Sequence, residues 1–209
     1  MKGQNSTRHK RNGFAVLELA TWCAVLLPVT LLGFSYGTFF HNDGSMRRIP
    51  AVVLRESVGR VSQWSSDGNA GVMVADIGRL REMINDIARR AARETLALTY
   101  ALADTSATAC FWVHNVDPLW GSVVSGQTSE CVQVGPLSLR AKLETREREL
   151  SAVRIGIPLG LTGASERYAH QVVLIGVEIA GVFQAVSELS GNLTIQHGKV
   201  KRLREEVEL

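Results

Sequence analysis

The side chains with the richest chemistry in this chain are the thiols Cys23, Cys110 and Cys131 and the imidazoles His9, His41, His114, His170 and His197. Cys110, His114 and Cys131 could begin a tetrahedral zinc site, but a fourth ligand such as His170 would arrive from far along the chain, so no metal is expected. Among the carboxylates, Asp117 with Glu130, and Glu144 with Glu147 and Glu149, are the pairs and triplets available for acid–base work. Their polar surroundings predict solvated turns rather than a convergent cleft. There is no H-E-x-x-H, no G-x-S-x-G, and no Walker or dinucleotide-binding glycine pattern. The residues therefore predict neither an enzyme nor a cofactor.

One carboxylate stands where a carboxylate is expensive. Glu18 precedes Leu19–Asn42, 24 consecutive residues without Asp, Glu, Lys or Arg. A helix of that length rises about 36 Å, against roughly 30 Å for the hydrocarbon core of a bilayer. From Leu19 to Phe40 the only polar side chains are Thr21, Thr30, Ser35 and Thr38, so the segment lacks the polar stripe of a soluble amphipathic helix. A membrane span is the reading, and Glu18 about one turn inside it costs on the order of 3 kcal/mol unless it finds a partner or snorkels to the headgroups. Pro28 leaves the carbonyl of Ala24 unbonded and permits a bend. Gly33 and Gly37, four residues apart, would let two helices approach closely. Cys23 is read as a small apolar residue of the span.

Charge sets the orientation. Lys2, Arg8, Lys10 and Arg11 precede the span, and removing these four from the 23 basic residues leaves 19 basic against 20 acidic residues in 14–209. The basic character thus belongs to a short leader, which argues against nucleic-acid binding and places the N-terminus on the cytoplasmic side. The following domain then lies outside the cytoplasm. With about 160 residues it is long enough for one hydrophobic core.

The apolar stretch is too long for the core of a secretory signal, and no A-x-A site follows it. The leader MKGQNSTRHKRNG instead ends in Gly13, followed by Phe14-Ala15-Val16-Leu17-Glu18, and this resembles a type IV prepilin signal. The resemblance implies cleavage between Gly13 and Phe14 by a membrane aspartic peptidase on the cytoplasmic face, with methylation of the new terminus. Glu18-Leu19-Ala20, Val25-Leu26-Leu27-Pro28 and Leu31-Leu32-Gly33-Phe34-Ser35-Tyr36-Gly37 are similar to the N-terminal segment of the TadE/TadF minor pilins of tight-adherence pili. Residues 86–94, rich in Ala and Arg, resemble the helix that follows the span in those proteins. Two departures are visible: Phe14 is the first residue favoured by type IVa pilins and type II pseudopilins, and a long insertion separates the two matching pieces. If the leader is removed, the α-amino group of Phe14 becomes a cation that a neighbouring subunit could present to Glu18, a pairing that fixes register.

Beyond the span, periodicity predicts helix and then sheet. Pro50 suits a first helical turn, and Leu54, Val58, Val61 and Trp64 follow at helical spacing until residues 65–71 break the pattern. Asp76 is a helix cap before Ile77, Leu80, Ile84, Ile87, Ala91 and Leu98, with arginines solvated alongside Glu82, Asp86 and Glu94. From Thr108 the period becomes two. Leu137–Glu144 and Val153–Pro158 alternate as half-buried strands, Val172–Ile179 reads as a buried strand, and Leu193 and Ile195 begin a last one before a charged tail from Lys199. Gly160, Gly163 and Ala164 predict a turn. The expected fold is α+β and pilin-like: a basic leader over 1–13, a membrane and assembly helix over 14–40, a helical region over 41–107 and an antiparallel sheet domain over 108–209.

Cys110 and Cys131 both follow the span, in the compartment where disulfides persist, and each begins a short apolar run. A bond between them would close the loop Phe111–Glu130, with Trp120 as a surface anchor; two free buried thiols are the alternative. The expected function is that of a structural, single-pass minor pilin of the cytoplasmic (inner) membrane. Its implied partners are the prepilin peptidase, other major and minor pilins, the inner-membrane assembly platform and membrane lipid. Competing readings are a minor pseudopilin of type II secretion and an uncleaved, signal-anchored periplasmic binding domain.

Overall fold

A computed structural model describes residues 5–58, 64–66, 73–116, 123–154, 170–184 and 192–203, with side chains over 14–57, 76–114, 128–150, 172–184 and 192–203. The elements are α1 (Asn5–Val58), β1 (Trp64–Ser66), β2 (Met73–Ala75), α2 (Ile77–Leu98), β3 (Leu102–Val116), β4 (Val123–Val134), α3 (Arg140–Arg154), β5 (His170–Gln184) and β6 (Asn192–Arg202). The class is α+β: a long apolar N-terminal helix followed by an antiparallel four-stranded sheet, ordered β4–β3–β5–β6, with helices packed on it.

α1 has 54 residues and would extend about 80 Å. It does not end near residue 40, and Pro50 is not a first-turn residue. Both Pro28 and Pro50 lie inside the helix. The helix continues because Met46, Ile49, Val53 and Leu54 form one apolar stripe that is buried against the sheet, and burial outweighs the lost hydrogen bond at Pro50. Asn42 is buried at the point where the stripe begins. Its Nδ2 donates to the carbonyl of Tyr100 (2.7 Å) and its Oδ1 accepts from the Tyr100 N–H (3.0 Å), so one side chain pins α1 to the turn between α2 and β3.

α2 follows its sequence pattern. Asp76 caps it, accepting from the Arg79 N–H (3.1 Å), and Leu80, Met83, Ile84, Ile87, Ala88, Ala91 and Thr95 are buried. Leu98, expected on this face, is exposed because the helix ends there. The arginines are more engaged than a solvated face requires. Arg81 grips Glu130 of β4 with two nitrogens, and Arg90 bridges Glu94 (2.8 Å) and Glu56 of α1.

The sheet begins at Leu102 rather than Thr108, and its two faces differ. Ala107, Ala109, Phe111 and Val113 of β3, with Val173, Ile175, Val177 and Ile179 of β5, pack under α1 and α2. Cys110, Trp112, Val172 and Leu174 occupy the opposite face under Leu143 of α3. α3 is the main correction, since residues 140–144 alternate like a strand but form a helix. Leu139 and Leu143 satisfy period two and helical i,i+4 spacing equally well. What decides is that Leu139, Leu143 and Glu147 are buried as one helical face, while Arg140 pairs with Glu144 at i,i+4 (2.7 Å). Val153 and Arg154 end this helix instead of opening a strand; residues 155–169, including the expected turn at Gly160, Gly163 and Ala164, lie outside the described residues. So do Val61 and the side chains of Val58 and Trp64. β6 runs on through Lys199 to Arg202, so the start of the expected charged tail is strand.

Candidate functional site

Two regions carry unusual side chains: the bare half of α1 and the sheet face beneath α3. From Phe14 to Tyr36 the large apolar side chains of α1 are 45–78% exposed, which no water-facing helix sustains without another apolar phase or partner. α1 is long and apolar enough to cross a membrane. Three of its hydroxyls turn inward on the helix itself: those of Thr21, Thr30 and Thr38 donate to the carbonyls of Leu17, Leu27 and Phe34 (2.8–2.9 Å). Such back-bonding satisfies these three hydroxyl hydrogens within the helix itself.

The predicted assembly residues sit on this rod. Phe14, Glu18 and Pro28 are exposed, and a Cβ built on Gly33 or Gly37 would meet nothing within 4 Å. The chain itself therefore does not use these glycines for packing. Gly13 lies within the helical run, and its surroundings fall outside the described side chains.

The disulfide is present. Cys110 and Cys131 face each other directly across β3 and β4, with Cα atoms 4.1 Å apart and sulfurs 2.05 Å apart. Their placement differs from expectation, because both are mid-strand. β3 extends to Val116 and β4 starts at Val123, so most of the expected loop is a β-hairpin; Asp117, Pro118, Trp120 and Gly121 lie outside the described residues. With both sulfurs bonded, Cys110 and Cys131 cannot serve as metal ligands. Cys23 is free and exposed on the rod.

Beneath α3 lie polar groups that are buried where solvated positions are expected, together with Glu178, which the sequence reading does not single out. His114 Nε2 is 2.9 Å from Glu147 Oε1 with both side chains buried, an off-axis contact rather than an aligned hydrogen bond. Glu147 is thus not a solvated turn residue, and Glu144 and Glu149 are helical too. Glu178 of β5 is completely buried and accepts from Arg146 Nε (2.9 Å). Burial pushes its carboxyl above the usual range, and the Arg146 guanidinium pulls it part of the way back. The carboxylate fits only because Gly198, its cross-strand partner on β6, has no side chain: a Cβ there would meet Glu178 Oε2 at 1.5 Å. A groove of about 370 Å³, lined by Arg146, Glu149, Leu150, Gly198, Lys199 and Val200, runs alongside. Glu178 is sealed beneath it, so these groups hold α3 on the sheet rather than present an acid to solvent.

A pH dependence follows. The Glu178 carboxyl is a weaker acid in the fold than in the unfolded chain, so the unfolded state ionises first as pH rises, and stability falls between the unfolded and folded pKa values. Glu178→Gln is expected to flatten that decline above pH 4.5, measured by thermal unfolding of the full chain in detergent micelles. An unchanged profile would refute the assignment.

Comparison of the chain with protein-family models, curated proteins and solved structures gives no match.

Proposed function

We propose that this chain is a non-enzymatic minor pilin or pseudopilin of a Tad-like type IV filament system, anchored in the inner membrane and processed between Gly13 and Phe14. The observation that carries this reading is the division of α1: one continuous helix is bare and apolar over 14–36 and becomes core of the sheet domain over 42–54. Such a helix transmits axial load between an apolar phase and a folded domain with no flexible joint between them. The same apolar surface can exchange lipid for the helices of neighbouring subunits, since both present hydrocarbon.

On this reading Glu18 pairs with the α-amino group of Phe14 from an adjacent subunit, and Gly33 and Gly37 are free to face a neighbouring helix. The partners are the prepilin peptidase, the other pilins, the assembly platform and the lipid itself. The domain stands on the periplasmic side, where the Cys110–Cys131 bond is stable.

N-terminal sequencing of the membrane-extracted protein tests the proposal, which requires a chain starting at Phe14. Gly13→Leu should abolish processing and leave only the full-length precursor in the membrane. A wild-type chain that still begins at Met1 would favour an uncleaved, signal-anchored domain.

A further inference from the structure

Among the described residues, the end of the domain where α1 enters it carries a set of exposed apolar side chains. Leu96 and Leu98 in the last turn of α2, Tyr100 just beyond it, and Leu193 at the start of β6 are 64%, 50%, 64% and 45% exposed. α2 keeps a polar outer face at Arg81, Glu82, Asp86, Arg89 and Arg93 and abandons it only at Leu96. A helix facing water throughout would keep that face polar to its end.

The structure fixes the height of this patch along α1. The Tyr100 backbone is bonded to Asn42 at both its N–H and its carbonyl. Leu193 sits opposite Phe183, whose ring lies 5.9 Å from that of Phe39. Tyr100 and Leu193 therefore lie at the level of residues 39–42 of α1, with Leu96 and Leu98 in the helical turn that leads into Tyr100. With Glu18 drawn to the near headgroups, a hydrocarbon core of roughly 30 Å takes about twenty residues from Leu19 and ends near Thr38. Phe39–Asn42 then cross the headgroup layer, at the same height as the patch.

We propose that this face of the domain is seated on the bilayer, with Leu96, Leu98, Tyr100 and Leu193 in the boundary between headgroups and acyl chains. The composition fits that depth, since tyrosine concentrates at membrane interfaces. Asp104, exposed near the start of β3 on the same end, holds the seat at the headgroups and not deeper. Seating restrains the tilt of the domain over its anchor before any assembly. The inference rests on α1 being the membrane span.

The test uses the full chain with Cys23→Ala, reconstituted in phosphatidylcholine–phosphatidylglycerol vesicles, with a single thiol introduced for an environment-sensitive NBD fluorophore. Labels at Leu98→Cys, Tyr100→Cys or Leu193→Cys should lose most of their emission to a nitroxide carried near the headgroup end of the lipid chains. A label at Glu82→Cys, about 24 Å back along α2, should lose none. A label at Leu26→Cys, quenched by a nitroxide deep in the chains, reports the span independently. Quenching at Leu26→Cys with none at the three patch sites overturns the seat and leaves the span intact; no quenching at Leu26→Cys overturns both. Shielding of the patch that grows with protein density and shows no nitroxide quenching assigns the face to a second copy and overturns the lipid assignment.

Discussion

Replacing both bonded cysteines, as Cys110→Ala with Cys131→Ala, is expected to remove about 3 kcal/mol of stability, the chain-entropy value for a cross-link of this span. The two residues are 21 apart in sequence and closed by the hairpin β3–β4. That loss is a large share of the 5–15 kcal/mol by which domains are usually stable. It falls on a particular place, because the bond lies on the sheet face that α3 covers, packed with Trp112, Leu143, Val172 and Leu174. Alanine at the fully buried position 110 leaves little void and no unsatisfied hydroxyl, so the measured loss reports the cross-link more than the packing. Urea unfolding of the full chain in detergent micelles, with and without reductant, provides the measurement. Reductant should lower the wild-type midpoint towards that of the double variant and leave the variant unmoved. A loss below about 1 kcal/mol would mean that the β3–β4 ladder alone holds the hairpin in the unfolded ensemble's place. A non-reduced digest with free thiols blocked adds a cellular test, because a linked pair in protein taken from membranes places the domain on the oxidising side.

How much of this was legible before the structure depended on whether a residue's signal was local. The rod could be read from the uncharged run Leu19–Asn42, and α2 from Asp76 and its 3.6-residue stripe, because cap and stripe are local properties. The cysteine pairing followed from there being two thiols beyond the span. The segment 137–144 was not legible: leucines four apart fit strand and helix alike, and only the apolar patch around Trp112, contributed by distant strands, selects the helix. Pro50 misled for the same reason, since the sheet that holds α1 helical through it lies more than fifty residues downstream. Asn42 shows in the sequence only as the end of the uncharged run, two residues past the expected membrane helix, and its grip on Tyr100 has no sequence signature. Glu178 did have one. It is the single charge inside the apolar run Val172–Ile179, the same signal that singled out Glu18, and its partners Arg146 and Gly198 explain how a strand so apolar keeps it.

That arrangement makes Gly198→Ala a strongly damaging methyl addition in β6. The φ angle of Gly198 is outside the left-handed region, so the backbone itself accepts alanine, and the penalty arises entirely from what the methyl meets. It would lie 1.5 Å from Glu178 Oε2 and 2.4 Å from Cδ, well inside contact distance. The far end of a glutamate can usually swing aside, but this one is completely buried and held by Arg146, so moving it strands a charge without its partner. A loss of about 2–4 kcal/mol follows from overpacking together with the broken pair. The decisive comparison is a double-mutant cycle. In a Glu178→Ala background the obstacle is gone and Arg146, partly exposed, can turn to water, so adding Gly198→Ala should then cost little. The coupling between the two positions is expected to be about 2 kcal/mol or more, read from unfolding of the full chain in micelles. If the two losses simply add, Gly198 is required by the strand for some reason other than the carboxylate, and the account of how α3 is anchored fails with it.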